Sequence, residues 1–166
     1  MRRWLQNPYE IVAPYVKAGM TVLDIGCGPG FFSIEIARLV GPGGKVISAD
    51  VQEGMLEELG KKVRGTSLEE RIKCVKCERT TINVSDMVDF ILAFYMVHEV
   101  PDKNTFFRQL RSVLKEHGEL LLVEPKLFHV SRKAFQQTTA VAEKSGFKFS
   151  PGPKLRFSWS ALFKAV

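Results

Sequence analysis

Apolar residues along the chain fall into two alternating rhythms. Short, nearly unbroken runs at 21–25 (TVLDI), 45–50 (KVISAD), 71–77, 89–93 (DFILA) and 119–124 (ELLLVE) read as strands covered on both faces. Between them, apolar residues recur every three or four positions, the spacing of one helical face. Residues 31–40 do so through Phe32, Ile36, Leu39 and Val40, and the glycine-rich stretch 41–44 stops them. Residues 52–64 repeat the pattern with Met55, Leu56, Leu59 and Val63; residues 102–115 repeat it with Phe106, Phe107, Leu110, Val113 and Leu114. A last helix is predicted over 131–145, closed by Gly146, and short strands follow at 147–149 and 155–163. Residues 4–17 predict a helical lead-in interrupted by Pro8 and Pro14.

Strands alternating with helices predict an α/β fold, a mostly parallel sheet with helices on both faces. Ligands of such sheets bind outside the carboxyl ends of the strands. That rule gathers Asp24 to Gly30, Asp50, Glu78, Phe94 to Glu99 and Glu124 to His129 along one rim.

Composition narrows the class without naming a chemistry. A chain of 166 residues suits one domain spanning 1–166, and a hydrophobic share of 45% can fill its core. No apolar run approaches the roughly 20 residues of a membrane span, and no signal-peptide core follows the basic start. Cys27, Cys74 and Cys77 are an odd set, best read as reduced thiols of a cytoplasmic protein. Cys74 and Cys77 are spaced C-x-x-C, but strand residues three apart face opposite ways and no second pair exists. No metal site is expected. A net charge of +6 fits a solvated basic surface or an anionic partner, and no Lys/Arg block selects between them.

The first predicted turn is richer in information. Gly26, Gly28 and Gly30 lie between a strand and a helix, where the backbone can turn tightly and approach a ligand. A dinucleotide fingerprint reads G-x-G-x-x-G, and Phe31 stands at its third glycine position. The spacing is G-x-G-x-G instead, with Asp24 just before it. A carboxylate beside a pyrophosphate would be repelled by several kcal/mol at close range. The same carboxylate suits the ammonium and sulfonium charges of S-adenosylmethionine.

The segment VLDIGCGPG resembles the first motif of class I, Rossmann-like S-adenosylmethionine-dependent methyltransferases, and the likeness runs from about Leu5 to Phe163. The resemblance implies a three-layer α/β/α sandwich whose sheet has roughly seven strands, mostly parallel with the last antiparallel. It implies S-adenosyl-L-methionine as cofactor, with S-adenosyl-L-homocysteine as product. Asp24, Gly26, Cys27, Gly28, Gly30 and Phe31 then form the cofactor loop, and Asp50 with Val51 receives the ribose. Asp50 equally suits a helix cap, and it would serve a nicotinamide dinucleotide as well. Glu78 and Arg79 fall where relatives contact adenine, although the pair Cys77-Glu78 departs from the commoner Gly-Asp.

Residues 89–102 (DFILAFYMVHEVPD) resemble the family's fourth strand and a following Leu-His-His-like stretch, with Glu99 at the second histidine. Ala93 and Phe94 then lie beside the methionine part of the cofactor, and Tyr95, His98 and Glu99 face the substrate as catalytic candidates. Aromatic faces favour a sulfonium through cation–π attraction, and a histidine can take a proton from an attacking oxygen or nitrogen. Glu124 and His129 are further candidates for that base; structural roles for His98, Tyr95 and Phe94 remain open. Only PKLFHV (125–130) bridges the fifth strand to the last helix, so the site is expected to be open, with Trp4, Tyr9, Phe128 and His129 as lid residues. The expected function is methyl transfer to an O, N, S or C nucleophile of a small molecule. An RNA or protein substrate is the alternative, as is a catalytically silent subunit; a homodimer or partner subunit could complete the rim. No membrane partner is expected.

Overall fold

A computed structural model of the chain describes residues 7–127 and 129–166. Trp4 and Phe128, expected as lid residues, lie outside the described residues, as does the start of the helical lead-in. The lead-in is the short helix α1 (Pro8–Val12), which opens with Pro8 at its first turn, where a missing N–H costs nothing. Asn7 caps it, its Oδ1 accepting from the Tyr9 N–H at 3.1 Å.

The strands are β1 (Thr21–Ile25), β2 (Lys45–Asp50), β3 (Ile72–Lys76), β4 (Val88–Phe94), β5 (Leu114–Pro125), β6 (Phe147–Pro151) and β7 (Ser158–Ala165). They form one seven-stranded sheet in the order β3-β2-β1-β4-β5-β7-β6. The first five strands run parallel, and β7 runs antiparallel to both its neighbours. This is the α/β fold expected, with the last strand reversed.

Alternation along the strands sorts the core into two layers. Val22, Val46, Phe90, Leu92, Leu121 and Val123 pack under α1 and α2 (Ser33–Val40). Leu23, Ile47, Ile91, Leu120 and Leu122 face the other way, against α4 (Lys103–Val113) and α5 (Arg132–Lys144). Helix α3 (Glu53–Val63) buries Leu56, Leu59 and Val63 beside Cys27.

The α4 to β5 junction departs from the sequence pattern. The pattern predicts a helix running to 115 and ended by His117 and Gly118, yet α4 ends at Val113 and β5 begins at Leu114. Leu114 pairs with Val88 and Glu119 with Phe90, so the intervening residues bulge out, with His117 at φ +63°. Lys115 ties the bulge back through Nζ to Asp89 Oδ1 at 3.0 Å. Strand β7 likewise starts at Ser158, later than the 155 expected, and reaches Ala165.

Candidate functional site

Parallel strands diverge where their order reverses, and here β1 lies between β2 and β4. A cavity of about 400 Å³ opens at that point, above the carboxyl ends of β1, β2 and β4. Ile25, Gly26 and Gly28 line it from β1, Ala49, Asp50 and Val51 from β2, and Phe94, Tyr95 and Met96 from β4. The loop after β3 supplies Glu78, Arg79, Thr80 and Thr81, and α4 closes the far side with Phe106 and Gln109.

Asp50 is the most constrained polar group on this wall. It is 8% exposed and its two oxygens each accept one backbone N–H, Oδ2 from Gly28 and Oδ1 from Gln52, both at 2.8 Å. The first bond staples the glycine loop to β2. The second is a local turn bond just before α3, whose N-cap is Gln52 with no side-chain cap hydrogen bond, so Asp50 does not cap that helix. Each carboxylate oxygen has a second lone pair, which leaves capacity for two more donors.

Asp24, expected beside the cofactor's cation, does not line this cavity. It shares strand parity with Val22, which points at α2, whereas Ile25 and Ala49 of the cavity point the other way. Its carboxyl is 2% exposed and accepts from Ser33 Oγ at 2.6 Å, and Ser48 Oγ donates on to Ser33 at 2.7 Å. Burial pushes its pKa up to about 7, against the pull of the Ser33 hydrogen bond and helped by the charge of Asp50. Cys27, Gly30, Phe31 and Ala93 also lie off the cavity wall. Cys27 packs with Leu56 and Leu59, Phe31 lies edge-on to Phe32, and Ala93 is buried in the α4-side core. Gly30, at φ +93°, touches α3: a Cβ there would collide with Leu59 Cδ1. Gly26 does line the cavity, but a Cβ on it would meet Met96 Cγ at 2.8 Å, so its closest partner is protein.

The rim beyond β4 holds the expected catalytic candidates. Tyr95 takes a left-handed φ of +58°, its N–H donates to the Val123 carbonyl at 2.8 Å, and its hydroxyl shares a 2.6 Å hydrogen bond with Ser158. Glu99 lines the cavity and its side chain is 78% exposed. His98 stands one step outside: Nδ1 lies 2.9 Å from Glu124 Oε2 and Nε2 lies 3.9 Å from Glu99 Oε1. His129 is close by, with ring centroids 5.9 Å apart. Burial raises the Glu124 carboxyl above its ordinary value, while the charge and hydrogen bonds of His98 oppose that rise.

Sequence reasoning overlooked Gln109, a polar residue on an otherwise ordinary helix stripe. Its Oε1 accepts from the Ile82 N–H at 2.9 Å and its Nε2 donates to the Thr80 carbonyl at 2.8 Å, clamping the loop that carries Glu78 and Arg79. The signal that could have found it is weak, since i,i+3 neighbours of Phe106 are usually core. Among the described residues, no cluster of three His, Cys, Asp or Glu side chains is placed to hold a metal ion.

A methyltransferase-domain family model matches residues 16–151. The chain belongs to the methyltransferase-domain family. The structure superposes on that of an S-adenosylmethionine-dependent methyltransferase from Aquifex aeolicus with a TM-score of 0.88 and 26% identity, covering 99% of this chain and 93% of that one. A demethylmenaquinone methyltransferase from Lactobacillus johnsonii is 33% identical over 110 residues, 66% of this chain and 45% of the relative. A ubiquinone/menaquinone biosynthesis C-methyltransferase (UbiE) from Escherichia coli is 34% identical over 121 residues, 72% of this chain and 48% of the relative. The chain thus spans about half the length of the curated relatives it matches. The cofactor of this methyltransferase domain is S-adenosylmethionine, as its glycine loop and family imply. No helix among the described residues is long and apolar enough to cross a membrane.

Proposed function

We propose that this methyltransferase domain transfers a methyl group to a ring carbon of a small, reduced quinone-type acceptor. The observation that carries the reading is a cavity fit for the cofactor beside a histidine held by a buried carboxylate. The cavity of about 400 Å³ is within the size range of small-molecule sites. Asp50 has lone pairs left for two ribose hydroxyls, the loop at Glu78 and Arg79 walls the adenine end, and Phe94 and Tyr95 wall the methionine end.

When bound, S-adenosylmethionine supplies an electrophilic methyl on a positively charged sulfur. The names of the relatives, a C-methyltransferase and a demethylmenaquinone methyltransferase, direct attention to a quinone ring carbon. An oxidised quinone carbon is electron-poor and cannot attack such a methyl, so the dihydroxy form is the nucleophile. Its hydroxyl proton passes to His98 Nε2, and the oxygen's electron pair is fed into the ring. The ring carbon then bonds to the methyl as the carbon–sulfur bond breaks, that electron pair leaving with sulfur. Loss of the ring proton to solvent restores aromaticity, and the phenolate oxygen takes back the proton held by His98. Tyr95 and Phe94 orient the acceptor and exclude water, which supplies much of the rate in an in-line displacement.

The test is incubation of the chain with methyl-labelled S-adenosylmethionine and 1,4-naphthohydroquinone kept reduced. Mass spectrometry should find the label on a ring carbon. Label on a hydroxyl oxygen, or no transfer to this acceptor while another small molecule is methylated, would overturn the assignment.

A further inference from the structure

We infer that Glu124 is a positioning residue that fixes the tautomer of His98, leaving Nε2 as the ring's proton acceptor at the cavity mouth. The inference deepens the functional reading above and rests on it only for the use to which that nitrogen is put.

Glu124 closes an apolar strand, ELLLVE, and its parity with Leu120 and Leu122 turns it inward on the α4 side. There it is 2% exposed, and a carboxylate so buried needs several donors to be tolerated. It has three. Oε1 accepts from the Val97 N–H at 3.2 Å, and Oε2 accepts from the His98 N–H at 2.8 Å and faces His98 Nδ1 at 2.9 Å. The two backbone donors belong to the short 3₁₀ turn Val97–Glu99 that carries the ring. One carboxylate therefore holds both the backbone beneath the imidazole and the imidazole itself.

The tautomer follows from that geometry. An ionised carboxylate only accepts, so the nitrogen facing it must carry the proton. In a neutral ring the other nitrogen, Nε2, then keeps a bare lone pair. That atom lies on the other side of the ring, 3.9 Å from Oε1 of Glu99, a residue of the cavity wall. Free imidazole would divide its proton between the two nitrogens; the buried partner removes the choice. Glu124 is not among the residues of the cavity wall, so it acts through His98 and the turn that carries it.

The experiment needs no ligand. The full chain is labelled with ¹⁵N-histidine, and long-range proton–nitrogen correlations are recorded at a pH where the rings are neutral. His98, His117 and His129 are the chain's three histidines, and His117→Asn and His129→Asn assign the signals by subtraction. In the wild type His98 should show the Nδ1–H form. In Glu124→Met, which keeps the length and loses the acceptor, that form should fall to a minority. An Nε2–H ring in the wild type, or an unchanged spectrum in Glu124→Met, would overturn the inference. Should the variant not fold, the wild-type spectrum decides by itself. An Nδ1–H ring together with failure of the naphthohydroquinone assay would uphold this inference and sink the acceptor assignment.

Discussion

Asp24 and Asp50 show how two carboxylates at the ends of adjacent strands come to different tasks. Asp50 sits at the wall with two backbone N–H donors already fixed, so it stays available as an acceptor. Asp24 is enclosed with Ser33 and Ser48, and burial lifts its pKa to about 7. A carboxyl whose folded pKa exceeds its unfolded value binds a proton that the unfolded chain releases. Its contribution to stability is therefore complete at low pH and declines as pH rises from about 4 to about 7. Asp24→Asn mimics the neutral form and keeps an acceptor for the Ser33 hydroxyl. The melting temperature of Asp24→Asn minus that of the wild type should climb as pH is raised across this window. A difference independent of pH would contradict the account. Asp50 was legible in the sequence because a lone charge ends an apolar run. The direction of Asp24 was not, because both faces of β1 are apolar and only the packed helices reveal which face holds the cavity. The pairing of His98 with Glu124 was equally hidden, since 26 residues separate them and adjacency of β4 and β5 creates the contact.

At the scale of elements, the periodicities foretold all five parallel strands and the helices between them, because each must bury a face of its own. The α4 to β5 junction escaped, since Lys115 to Gly118 have the composition of a turn while the pairing of Leu114 with Val88 comes from a distant strand. The glycine loop also changed meaning. Its spacing suggested three close approaches to a ligand, but Gly30 is required by the seat of Leu59 in α3. Gly30→Ala should cost roughly 1–3 kcal/mol, from a Cβ at positive φ and from overpacking against Leu59. Chemical denaturation measures this directly; a loss below about 0.5 kcal/mol would mean that the loop and helix yield at that contact.

For the molecule as a whole, topology places the function more firmly than any one motif does. The order β3-β2-β1-β4-β5 puts a crevice at β1 and β4, and the antiparallel β7 fills the sheet beside β5 and braces Tyr95 through Ser158. A doubly wound sheet of this kind could hold a dinucleotide or S-adenosylmethionine, so the cofactor was read from Asp24, Phe31 and the order of motifs rather than from the fold. The central claim is that S-adenosylmethionine binds in this crevice with its ribose on Asp50. Calorimetric titration of the chain with S-adenosylmethionine, repeated with Asp50→Ala, tests it most directly. One site per chain is expected, at least tenfold weaker in the variant, since hydrogen bonds to a charged acceptor contribute about 1.5–3 kcal/mol each. No binding by the wild type, or equal affinity in the two proteins, would contradict it.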